Sequence, residues 1–150
     1  MKTINVVNGP QNASRIILGC MRMPALTVEE AAGMIRTAAE EGINFFDHAT
    51  CYGNGEAETR FGDAFPQTGL KREDVYIQSK CGLYFDRTEF SWQKEDIIAS
   101  AEAILGRLKT DYLMPCCCTA RTCCSIRRRW RRLSIRWRPA VRSGTSASAT

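Results

Sequence analysis

Alternating strand and helix signals predict an α/β fold built on a parallel sheet. Three observations carry that prediction. A short apolar run, residues 43–46, and a second strand-like segment, residues 75–79, each stop at a charged residue, Asp47 and Lys80. Runs of that length mark buried strands. Residues 28–39, 56–65 and 94–108 repeat apolar side chains at helical spacing. The order is a β-hairpin, then helix, strand, helix, strand, helix and the approach to another strand, which implies right-handed crossovers.

The elements follow in order. Residues 4–7 and 15–19 are β-rich, with Asn8-Gly9-Pro10 between them as a hairpin turn. Thr27-Val28-Glu29-Glu30 matches a capping box, with Thr27 as N-cap and Glu30 three residues on. Val28, Ala31, Ala32, Ile35, Ala38 and Ala39 form the apolar stripe behind it, and Gly42 sits where a glycine ends a helix. Gly53 to Gly55 form a loop. Ala57, Phe61, Ala64 and Phe65 share one face of the second helix, and Ile97, Ile98, Ala101, Ile104, Leu105 and Leu108 line the third. Residues 111–113 lead toward a further strand.

Charge divides the chain. Residues 1–113 carry 12 basic and all 16 acidic side chains, a net −4; residues 114–150 carry nine Arg and no Asp or Glu, a net +9. Such asymmetry points to two regions of different origin or role. Cysteine divides likewise: Cys20, Cys51 and Cys81 are scattered and read as small buried hydrophobes, while five more crowd into residues 116–124. The crowded five lack the paired C-x2-C spacing of a zinc site, so no metal is expected. No apolar leader follows Met1-Lys2, and no apolar run approaches the roughly 18 residues of a membrane span. A cytoplasmic chain with reduced thiols and no membrane partner is the expectation.

In parallel α/β folds, functional groups gather at the C-terminal ends of strands. Asp47 and Lys80 end two predicted strands, and Tyr52 lies five residues past Asp47 in the same loop. An ammonium near a phenol favours the phenolate, and a carboxylate beside the ammonium keeps it charged and in place. The phenol then serves as a general acid near neutral pH. A carbonyl that accepts a hydride needs such a proton donor at its oxygen.

The run from Gly42 to Gly53 resembles the aldo-keto reductase segment G-x-x-x-x-D-x-A-x-x-Y-G. Glu56-Ala57-Glu58 and Phe61-Gly62-Asp63-Ala64-Phe65 resemble its continuation. Arg72-Glu73-Asp74 through Ser79-Lys80 resembles R-E-D-x-x-I-x-S-K. Leu105, Arg107, Leu108, Thr110, Asp111, Tyr112 and Leu113 match a later L-x-R-L-x-T-D-Y-L segment. The similarity runs over about residues 4–113. It implies a partial (β/α)8 TIM barrel, an N-terminal hairpin plus the first three βα units. A whole barrel needs about 250 residues. It also implies catalytic roles for Asp47, Tyr52 and Lys80, with Tyr52 the proton donor. NADP(H) is the implied cofactor and a small-molecule carbonyl the implied substrate. Cys20 and Met21, in the first βα loop, and Asp47 are the implied cofactor contacts.

Two departures stand out. The family's fourth catalytic residue is a His ending the fourth strand, and the one His here is His48, read as a packing residue or a support behind the site rather than a ligand. The main dinucleotide-binding loops of the family come from later strands. Residues 114–150 depart altogether. Shifting their codons by one base turns Met114-Pro115 into Ala at the junction and the cysteine run into Leu. The shifted tail can read D-A-L-L-L-H-R-P-D-L-L-F, with the His at the position of Thr119. The tail is therefore read as out of frame, dividing the chain at 1–113 and 114–150. Nine unpaired Arg and few apolar side chains predict irregular structure there, or at most a helix around 127–137. Pro115 lacks the N–H of a central strand, so pairing is expected to fail just after Leu113. The rival expectation is a non-enzymatic basic protein whose Arg tail, with Trp130 and Trp137, binds nucleic acid or acidic surfaces.

Overall fold

The computed structural model describes residues 1–5, 10–84, 89–91, 93–114 and 117–118. A hairpin comes first: β1 (Thr3–Ile4) pairs antiparallel with β2 (Ala13–Ser14). β3 (Leu18–Gly19), β4 (Phe45–Asp47) and β5 (Tyr76–Gln78) then form a parallel sheet in that order. β6 (Lys80–Cys81) continues the line of β5, and β7 (Leu83–Tyr84) pairs antiparallel with β8 (Glu89–Phe90). α1 (Val28–Glu40), α2 (Glu56–Ala64) and α3 (Lys94–Leu108) fill the crossovers. This is a partial (β/α)8 barrel preceded by an N-terminal hairpin.

The expected hairpin arms are corrected. Residues 15–19 do not form the second arm; Ala13–Ser14 does, and Leu18–Gly19 joins the parallel sheet opposite Phe46–Asp47. Asn44 explains the division. Its Oδ1 accepts from the Ser14 N–H at 2.8 Å, its Nδ2 donates to the Asn12 carbonyl at 3.1 Å, and its own N–H donates to Ser14 Oγ at 3.2 Å. These bonds fasten the arm across the foot of β4, leaving only the residues after it free to run parallel. Residues 6–9, most of the expected turn, lie outside the described residues.

The capping box forms as the sequence requires. The Glu30 N–H donates to Thr27 Oγ1 at 3.2 Å, and the Thr27 N–H donates to Glu30 Oε2 at 2.8 Å. Gly42 ends the first crossover in the left-handed region, at φ 80°, which favours glycine. α3 spans the predicted 94–108 without change. α2 stops at Ala64 because Pro66 follows, and a short 3-10 turn carries Phe65–Thr68. Gly62 lets α2 press on α3: a Cβ there would meet the Arg107 carbonyl at 2.2 Å.

Pleating sorts the strand residues. Phe46 and Ile77 point outward and are buried against Ala31, Ile35, Phe61, Ile104 and Leu108 of the helices. The Phe46 and Phe61 rings pack tilted against each other, 5.3 Å between centroids. Full burial of side chains this size stabilises by about 1.5–3 kcal/mol each. Asp47, Gln78 and Lys80, of opposite parity, face inward.

Pairing does not fail after Leu113, as Pro115 had suggested. The Met114 N–H donates to the Ile77 carbonyl at 2.9 Å, and β9 (Cys117–Cys118) pairs parallel with Lys80–Cys81. Ladder bonds need only backbone groups, and the outer edge of β5 and β6 offers them whatever side chains follow. The expectations for residues 119–150 lie outside the described residues. Among the described residues, no helix is long and apolar enough to cross a membrane, and no group of His, Cys, Asp and Glu is placed to hold a metal.

Candidate active site

β4 delivers Asp47 to the C-terminal edge of the sheet. The ladder continues past it: the His48 N–H donates to the Gln78 carbonyl and the Thr50 N–H to the Lys80 carbonyl, both at 2.9 Å. That register sets Lys80 beside Asp47. The loop then closes a tight turn, with the Tyr52 N–H on the Ala49 carbonyl at 2.9 Å, which swings Tyr52 back over the sheet edge.

The three side chains meet. Lys80 Nζ donates to Asp47 Oδ1 at 2.6 Å and to the His48 carbonyl at 2.7 Å. The Tyr52 hydroxyl donates to Asp47 Oδ2 at 3.4 Å, and Lys80 Nζ lies 5.0 Å from the centre of the Tyr52 ring. About a fifth of each ion-pair side chain stays exposed, so the cluster faces an open interior. Burial pulls the Lys80 ammonium down. The hydrogen bond and charge of Asp47, joined by Tyr52, outweigh it and hold Lys80 above the usual lysine range. A fixed cation thus sits beside a phenol that can turn its proton toward a bound oxygen.

The implied cofactor contacts separate. Met21 is exposed at the end of β3. Cys20 is buried in the core, its N–H on the Asp47 carbonyl at 2.9 Å and its carbonyl taken by Met23. Burial pushes its thiol up to about 12. Cys20 therefore shapes the loop and Met21 is the residue turned outward. His48 faces the helices, fully buried, its ring edge-on to Phe61 at 4.7 Å. Burial, only partly countered by Asp47, pushes it down to about 3, so it stays neutral packing, as expected. Cys81 is buried and Cys51 half-buried.

Sequence reasoning missed two groups here. Gln78 donates from Nε2 to Asp47 Oδ1 at 2.6 Å. Its signal was parity: it lies two residues before Lys80, on the same face. Behind the sheet, Glu58 is fully buried and accepts from Arg107 Nε at 2.7 Å and from the Ser79 hydroxyl. Arg107 also reaches Thr50 Oγ1 at 3.4 Å. This pair braces both segments that carry the site.

The aldo/keto reductase family profile matches residues 15–114. The uncharacterized oxidoreductase YcsN of Bacillus subtilis is 32% identical over 110 residues, 67% of this chain and 37% of its own. The oxidoreductase YdhF of Escherichia coli is 31% identical over 113 residues, covering 70% of this chain and 38% of its own. An aldo-keto reductase from Bacillus halodurans, solved in its holo form, superposes with a TM-score of 0.64 at 28% identity, over 75% of this chain and 38% of that one. The chain thus spans well under half the length of these relatives. With its parallel strands, its crossovers and the span of the match agreeing, the chain belongs to the aldo/keto reductase family.

Proposed function

We propose that this chain carries the proton-donating part of an NADP(H)-dependent reductase of small aldehydes or ketones. What supports this most is the meeting of Asp47, Tyr52 and Lys80 on one inward face, with Lys80 held charged. Tyr52 gives its hydroxyl proton to the carbonyl oxygen. Lys80 stabilises the phenolate left behind, and Asp47 fixes Lys80. The cofactor, when bound, supplies the hydride that reaches the carbonyl carbon. The residues present fit its nicotinamide-ribose end: Asp47 offers a carboxylate with about a fifth of its side chain exposed to a sugar hydroxyl, and Met21 an exposed apolar side chain in the loop after β3.

The division at 113/114 belongs to the same proposal. Residues 1–113 are the first part of a cytoplasmic barrel enzyme, and residues 114–150 are read out of frame, which displaces the fourth catalytic His. NADPH consumption with an aromatic aldehyde tests it. The 150-residue chain should turn over far below the order of 1 per second of ordinary enzymes. Restoring one base near codon 114 should recover turnover, and Tyr52→Phe should then remove at least about a hundredfold, the usual contribution of a general acid. Unchanged turnover in Tyr52→Phe would reject the assigned role. Salt-dependent DNA binding without reductase activity in the restored product would favour the basic-protein alternative.

A further inference from the structure

We infer that Gln78 is a positioning residue for the proposed reaction, locking the Asp47 carboxylate so that one oxygen serves Lys80 and the other is left to Tyr52. The inference rests on the roles proposed above for Asp47, Lys80 and Tyr52. Its grounds are geometric. Gln78 stands directly opposite Asp47 in the β4–β5 register and two residues before Lys80 on the same inward face. Gln78 Nε2 and Lys80 Nζ each donate to Oδ1 at 2.6 Å. Only the nitrogen end of a carboxamide can face a carboxylate oxygen at that distance, because its oxygen would be repelled.

The arrangement has a consequence for the phenol. With Lys80 alone, the carboxylate would pivot about a single contact. Two short bonds, from β5 and from β6, pin Oδ1 from two directions. Oδ2 then meets the Tyr52 hydroxyl at only 3.4 Å, long for an O–H donor. A proton held so loosely can be redirected to a carbonyl oxygen; one donated tightly to Asp47 could not. Gln78 itself needs no contact with a substrate to do this.

The test reads Lys80 rather than turnover. The full 150-residue chain, labelled in its lysine side chains, is titrated by NMR, with Lys80→Met identifying the resonance. Asp47 is the chief group that raises Lys80 against burial, so a freed carboxylate should let burial gain. Gln78→Met keeps length and bulk but has no donor; the Lys80 midpoint should fall by at least about half a unit, roughly threefold in proton affinity. Gln78→Asn, which draws the donor back, should give a smaller fall. Gln78→Glu has the same shape and adds a charge that is ionised where lysines titrate, so it should move the midpoint upward. A Gln78→Met chain that stays folded with its midpoint within about a tenth of a unit of the parent would make Gln78 mere filling. A fall in Gln78→Glu would place it away from the pair and also overturn the inference. If Gln78→Met does not fold, the Gln78→Asn and Gln78→Glu signs decide. The readout is a proton affinity, so failure of the reductase assignment shows only in the Tyr52→Phe assay and is told apart from failure here.

Discussion

The line of β5 and β6 separates two ion pairs of the same chemistry. On its inner side Lys80 holds Asp47 at 2.6 Å; on its outer side Arg107 holds Glu58 at 2.7 Å. Asp47 keeps about a fifth of its side chain in solvent and has a phenol at its second oxygen. Glu58 has no exposure and is enclosed by α2, α3 and Ser79. What differs is access. The inner carboxylate, Asp47, is open to solvent and can change partners, while the outer one, Glu58, is sealed and can only brace, even though Arg107 keeps a quarter of its side chain in water. Adjacent residues at the junction of β5 and β6, Ser79 and Lys80, serve the two by alternation of side alone.

The largest effect should come from breaking the outer pair. Glu58→Ala leaves Arg107 and Ser79 facing an apolar gap. Breaking a buried pair costs about 3–5 kcal/mol, and the low end applies because Arg107 keeps a quarter of its side chain in water. Denaturant unfolding measures it. A loss under about 1 kcal/mol would mean that the pair braces nothing.

Asp47→Asn should do the reverse, costing only about 1 kcal/mol, as a partly exposed pair does, while lowering the Lys80 midpoint. The sign follows from linkage. Lys80 is raised in the folded protein, so its contribution is full below the ordinary lysine value of 10.5 and is lost as pH rises through the folded value. With Asn at position 47, only Tyr52 still opposes burial, the largest influence, and Lys80 is pulled down. The alkaline part of the stability curve should then weaken earlier. An unmoved Lys80 resonance in this variant would show that Asp47 does not govern it.

The comparison also shows how far sequence carries. Asp47, Tyr52 and Lys80 were legible because strand ends and spacing within one loop are local features. α3 was legible because five buried positions recur on one face of 15 residues. The Glu58–Arg107 pair was not: its partners are 49 residues apart, and each reads alone as a solvated charge. Gln78 was hidden in the same way, since its register against Asp47 exists only once the strands pair. The hairpin arm was misplaced because Asn44, 30 residues from Ser14, decides it. The β7–β8 hairpin has two-residue arms, too short for any periodicity to register.

The smallest effect at neutral pH should come from His48, which adjoins Asp47 but faces the sealed side. Both ring nitrogens are buried without a hydrogen-bond partner among the described residues. An unmet buried polar group costs about 1–3 kcal/mol, while the ring's contact with Phe61 returns part of that. His48→Leu removes both contributions and should leave stability at pH 7 within about 1 kcal/mol of the parent. The acid side is where the variant should differ. Burial holds His48 down at about 3, against 6.5 in an unfolded chain. A depressed midpoint means that its stabilisation is full above 6.5 and is lost as pH falls toward 3, because the unfolded chain takes up the proton first. His48→Leu should flatten the stability curve across that window, measured as unfolding midpoints from pH 7 to pH 4. The informative interval is pH 6.5 to about 5, above the ordinary carboxylate range. Identical slopes for parent and variant there would mean that His48 takes up its proton in the folded protein. The outer side of the sheet would then be open to water, and the contrast between the two faces would fail.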